Sequence, residues 1–287
     1  MFSRPFRVIA CAGVLALFGI GCGVSESRDG TSGSGKSSGK GDDFDQSYTP
    51  EQLARYDMPA HDRVWDADDM ERAGNVLSRL CEERGYYLLP KYDSERSAMI
   101  FKRITDPENT ACFTDDSLSF EKRFQNLRKF LNGRVKISRL YESALKTKDT
   151  HKIEYVEDMG SEMRFLPQLF DLLEDFMDSL NENDPAMRSW CKRQKEMENY
   201  AIKELVVHLI DELAEPEQFH KAEFQRLVGY MHETMPKYFK RLPKEHREFL
   251  IGRLERLQKS PNTKMLQPGL DELMAKVKGP VRKPAPK

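Results

Sequence analysis

The residues able to do chemistry in this chain are few, and their spacing gives them little to do together. Six histidines are present, four of them in the C-terminal half as His208, His220, His232 and His246. Glu217 and His220 form an E-x-x-H pair, whose two ends share a helix face. Di-iron bundles use two such pairs and two further carboxylates, and the sequence has no second pair. His232-Glu233 begins like the H-E-x-x-H zinc motif, but the second histidine falls at Pro236. These histidines read as ordinary surface or boundary residues. No serine lies in a strand-to-helix elbow, and no cysteine has a papain-like signature. Gly35-Lys36-Ser37-Ser38 lacks the upstream strand and spaced glycine of a phosphate loop. No catalytic, cofactor-binding or metal-ligating residue is assigned, and the balance is against an enzyme.

The N-terminus carries a different kind of chemistry. Arg4 and Arg7 precede an apolar run from Val8 to Ile20. At about 1.5 Å per residue this run is too short for a bilayer core of roughly 30 Å, and it has the length of a signal-peptide core. It ends in Gly19-Ile20-Gly21-Cys22. Small residues before a cysteine at that point resemble the lipobox of bacterial lipoproteins. The resemblance covers residues 1–22 only. It implies a signal peptide over 1–21 and a lipidated Cys22 as the first mature residue. A plain secretory signal cut near Gly21 or Gly23, and an uncleaved anchor, are the other readings of the run.

Residues 22–43 are dominated by Gly and Ser. They have nothing apolar to bury against the entropy of ordering, so they read as a flexible tether. The expected location is therefore an exported, membrane-anchored one. Gly23 lacks the aspartate of inner-membrane retention, which makes the periplasmic face of the outer membrane the default. In an oxidising compartment Cys81 and Cys112 are candidates for a disulfide. Closing a loop of about thirty residues would contribute roughly 3–4 kcal/mol in the chain-entropy model. Cys191 would then be left as a small apolar residue beside Trp190.

These residues must be positioned mostly by helices. Thr49-Pro50 and Asp66 are helix starts, and Gly85 is a helix stop. Further helices are expected over 66–84, 117–132 (stopping at Gly133), 134–146 and 151–164. Others should open at Pro167, Pro185, Pro216, Pro243 and Pro268, with Pro236 as an interruption. Tyr86–Leu89 and Ala98–Ile104 are the only strand candidates, a small β-hairpin near residues 86–104. The fold class is mainly α, an irregular helical bundle or array spanning 44–278, with a disordered basic tail over 279–287.

Composition bounds the rest. The chain has 287 residues, 39% hydrophobic and 32% charged, with a mean hydropathy of -0.68, which excludes a polytopic membrane protein. The 46 basic and 47 acidic residues nearly cancel, but they are segregated. Residues 142–215 hold 9 basic against 18 acidic residues, and residues 216–287 hold 16 against 8. Two outcomes are open. A basic face carrying Tyr230, Tyr238, Phe239 and Phe249 would bind an anionic envelope polymer or an acidic protein. Alternatively, the two blocks pack together and their fields cancel. Nucleic acid is not an expected partner of an exported chain. The expected function is a membrane-anchored lipoprotein with a helical binding or envelope-structural domain. The alternatives are an enzyme of unrecognised type acting on cell-envelope material, or an accessory subunit of an envelope complex.

Overall fold

A computed structural model describes residues 46–148, 150–180, 184–214 and 221–278. The proposed signal peptide, Cys22, the tether, Glu217, His220 and the basic tail lie outside these residues. Among the described residues every regular element is an α- or 3-10 helix, so the chain is mainly α, as its periodicity predicts. No helix there is long and apolar enough to cross a membrane.

The first elements begin where the capping chemistry puts them. Thr49 and Gln52 form a reciprocal capping box on α1 (Pro50–Ala54), and Asp66 and Asp69 form one on α2 (Ala67–Arg84). Gly85 ends α2 at φ +91°, a backbone region that favours glycine. After it, the expected β-hairpin is absent. Tyr86–Leu88 is a single 3-10 turn and Ala98–Ile104 is a helix, α3. The buried side chains of α3 are Ile100, Phe101 and Ile104, a helical spacing. Between the two, serine hydroxyls replace strand pairing. Ser47 Oγ lies 2.7 Å from Ser97 Oγ and 3.2 Å from Ser94 Oγ, and the Lys91 amide donates to Ser97. A 3-10 turn (Pro107–Thr110) and the short α4 (Ala111–Thr114) follow.

Three long helices then form the body: α5 (Phe120–Lys148), α6 (Lys152–Ser179) and α7 (Pro185–Ala214). Each runs antiparallel to the next. Phe120 stacks on Phe176 and Ser138 bonds Glu162 between α5 and α6. Tyr155 bonds Glu212 between α6 and α7. The helix α8 (Lys221–Arg241) runs parallel to α6, as the pairs Arg226–Glu157 and Arg164–Glu233 show. The C-terminal elements α9 (Lys244–Lys259) and α10 (Gln267–Lys278), joined by a 3-10 turn, pack on α7 and α8.

Three expected helix breaks are not breaks. Gly133 lies inside α5, Pro167 inside α6 and Pro236 inside α8. Gly133 is needed for a tertiary contact: α2 crosses α5 backbone to backbone. A Cβ on Gly74 would sit 2.7 Å from the Gly133 carbonyl oxygen, and one on Gly133 would overlap the Met70 carbonyl. The contacts Lys129–Asp68, Asn132–Glu71 and Lys136–Asn75 make this pair parallel.

That register also excludes the expected disulfide. The Cys112 carbonyl accepts from Asn126 on α5, whereas Cys81 lies beside Tyr141. Fifteen residues of helix separate these positions, about 22 Å, and a disulfide needs Cα atoms within about 7 Å. Cys81, Cys112 and Cys191 are all free thiols.

Candidate binding groove

Two buried ionic arrangements fix the helices that carry the main surface concavity. In the first, Arg134 of α5 donates at 2.7 Å to Asp158 of α6, with both side chains essentially buried. The guanidinium also reaches the Ile104 and Asp158 carbonyls, which ties α3 to the pair. A buried ion pair survives only when such extra hydrogen bonds are made.

The second arrangement joins three helices. Arg241, at the end of α8, contacts Asp171, lies 2.8 Å from Glu174 on α6 and 3.3 Å from the fully buried Glu198 on α7. Lys195 contacts Glu174 and lies 3.0 Å from Glu198. Burial pushes the Glu198 carboxyl above its ordinary range, against the pull of Lys195. Burial also acts on Glu174, but Lys195 and Arg241 outweigh it and hold that carboxyl down.

With α7 fixed in this way, α9 packs along its second half and leaves an open groove of about 440 Å³. Ile210, Ala214 and Leu257 give it an apolar floor, and Phe249, 44% exposed, forms one wall. Lys203 stands over the Phe249 ring at 5.3 Å. Arg253 is engaged by Asp211 at 2.5 Å. Burial raises the Asp211 carboxyl, and Arg253 opposes the shift. Arg256 differs: it is exposed, and its Nε donates only to the Gly252 carbonyl at 3.3 Å. The groove therefore offers an apolar strip beside one guanidinium that has no carboxylate partner among the described residues. A second concavity, lined by Ile104, Phe130 and Phe165, has a volume of about 10 Å³, room for about one water.

The basic and acidic blocks lie against each other. Arg226 pairs with Glu157, Arg241 with Asp171, Glu174 and Glu198, and Arg253 with Asp211. Tyr238 and Phe239 are buried, and Tyr230 donates to Glu157 at 2.5 Å. Of the four aromatic residues expected on a basic face, only Phe249 is exposed, in the groove. Its i+4 and i+7 neighbours Arg253 and Arg256 were the sequence signal for this site. That signal depends on a partner helix that the spacing alone does not supply.

The histidines do not converge. His208 lies 3.4 Å from Glu212 within α7, His232 reaches the Gly269 carbonyl at 2.6 Å, and His246 is on α9. Among the described residues, no group of three or more His, Cys, Asp or Glu is placed to hold a metal ion. No protein-family model, curated protein or solved structure matches the chain.

Proposed function

We propose that the chain is an exported bacterial lipoprotein, anchored through Cys22, whose helical domain binds an envelope partner in the groove between α7 and α9. The observation that carries the binding reading is the pairing of an exposed apolar strip with the carboxylate-free Arg256. Such a site suits a protein segment or polymer that presents an anionic group next to an apolar one. The lipoprotein reading rests on Gly19-Ile20-Gly21-Cys22 at the end of the apolar run. A Gly/Ser tether would confine the groove near the membrane and raise its effective concentration for envelope partners.

Palmitate labelling of the wild-type chain and of Cys22→Ser, followed by fractionation, tests the anchor. Label on the wild type alone, with the variant released to the soluble fraction, is expected. Equal membrane retention without label would overturn it. Crosslinking from native membranes tests the groove. Partners captured by the wild type should be lost from Phe249→Asp and from Arg256→Glu, and an unchanged set would refute the groove as their site.

A further inference from the structure

One end of the three long helices carries an aromatic cluster that no element fully covers. Phe120 of α5 stacks on Phe176 of α6 at 4.4 Å and 9°. Trp190 of α7 meets Phe176 edge-on at 5.7 Å. All three rings are only half-buried, and Met187, one turn before Trp190, is 37% exposed. The first turns of α7 extend past the end of α6, so their apolar side has little to rest on.

The charges around this tip run against the helix dipoles. An α-helix favours anions at its N-terminus and cations at its C-terminus. Here α6 ends with Asp175 and Asp178 and has no basic residue in its last turn. The helix α7 begins with Arg188, then Lys192 and Arg193, and has no acidic residue in its first turn. All five are exposed. Asp175, Asp178, Arg188 and Arg193 form no ion pair in the chain, and Lys192 lies 4.0 Å from Glu196. Within one molecule Asp178 and Arg188 each oppose the dipole of their own helix end. They are nonetheless of opposite sign and flank one apolar centre, which is the pattern of a self-complementary patch.

We infer that this tip is the docking surface for a second copy of the chain, in a two-fold, isologous contact. The aromatic cluster of one copy meets that of the other, and Asp175 and Asp178 of each copy face Arg188 and Lys192 of its mate. In that arrangement each carboxylate gains a cation and approaches the N-terminus of an α7. Each guanidinium approaches the C-terminus of an α6. Both unfavourable dipole interactions are thereby offset at once. The tip lies far from where the chain enters the domain. Ser47 is held by Ser94 and Ser97, and the neighbouring Tyr92 amide donates to Glu154 at the start of α6. Phe176 is 22 residues further along that helix, about 33 Å away. The contact therefore leaves both N-termini at the outer ends of the pair. It involves neither the groove nor Cys22, so its failure and theirs are separable.

The test is the mass of the purified full chain in detergent, by sedimentation equilibrium at micromolar concentration. The wild type should give twice the protomer mass. Asp175→Lys/Asp178→Lys and Arg188→Glu/Lys192→Glu should each be monomeric, because each puts like charges opposite one another. Mixed together, the two variants should recover the dimer mass, since every pair is again of opposite sign. Each monomer should also melt no lower than a concentration-diluted wild-type monomer, because each substitution corrects a dipole; this excludes unfolding as the cause. A monomeric wild type, dimers that survive either reversal, or a mixture that stays monomeric would each overturn the inference.

Discussion

The hydroxyl of Tyr238 donates a 2.7 Å hydrogen bond to the carbonyl oxygen of Met163, four residues before Pro167. Proline has no N–H, so in a continuous helix that carbonyl loses its usual donor. A tyrosine from α8 supplies the replacement, and its ring is fully buried. Tyr238→Phe should cost about 1–3 kcal/mol, the penalty of an unsatisfied buried acceptor. Adding Pro167→Ala restores a helical donor, so Tyr238→Phe should cost less in that background. A double-mutant cycle in urea measures the coupling; a cost independent of residue 167 would show that the hydroxyl has another role.

Gly133→Ala should destabilise the domain by about 1–3 kcal/mol or more, the range for overpacking, since its Cβ would overlap the Met70 carbonyl. Gly229 is also inside a helix, but a Cβ there would meet nothing within 4 Å. Gly229→Ala should therefore stabilise by about 0.5–1 kcal/mol. Opposite shifts in urea midpoint for the two alanines are expected. Equal shifts would mean that α2 and α5 do not cross at Gly133.

Removing one member of the buried Arg134–Asp158 pair should be far worse than removing both. Asp158→Leu leaves a buried guanidinium without its carboxylate and should cost about 3–5 kcal/mol. Arg134→Met/Asp158→Leu should recover most of that loss. Thermal denaturation of the three proteins decides the matter, and additive losses would count against a tightly coupled pair.

Glu154 gives a pH signature. Burial raises its carboxyl above the ordinary range, outweighing the Tyr92 amide that favours the charged form. A carboxyl raised in the folded state stabilises the fold below its unfolded value, and that contribution fades as pH rises through the folded value. Glu154→Gln keeps an acceptor for Tyr92 and removes the charge. It should be more stable than the wild type at neutral pH, with the gain shrinking under acid. A gain that grew under acid would contradict the burial argument.

The free thiols should differ in reactivity. Burial pushes Cys81 and Cys112 up to about 12, with Glu82 and Asp66 respectively adding to it. Both should resist maleimide in the native protein and react once it is unfolded. Cys191 is half-buried near the tip and should be labelled first. Mass spectrometry without reductant should find no link between Cys81 and Cys112.

The sequence shows the helices clearly and their junctions poorly, for a consistent reason. The capping residues Thr49, Asp66 and Gly85 act on their own backbone, so their effect is local and readable. Gly133 looks like a helix stop because its role depends on Met70, in another helix. Pro167 looks like a helix start because the donor that accommodates it comes from Tyr238. Tyr86–Leu89 has strand-like residues, but the hydroxyls of Ser94 and Ser97 hold that region to Ser47. The groove is hidden for the same reason. Phe249, Arg253 and Arg256 are visible as a helix face, but the Ile210 and Ala214 floor belongs to another helix.

The parallel pairing of α2 with α5 sets an order of assembly. Helices α5, α6 and α7 pair with their neighbours in sequence, so their contacts close short loops and can form early. Gly74 meets Gly133 only after the whole segment 85–119 has been gathered between them. That closure carries a larger entropic cost, which places the docking of α2 late, after the hairpins exist. Although α2 is synthesised first, it must wait with Met70 and Leu77 uncovered until α5 is in place. A defect at Gly133 should then accelerate unfolding and leave the fast refolding phase of the long helices nearly unchanged.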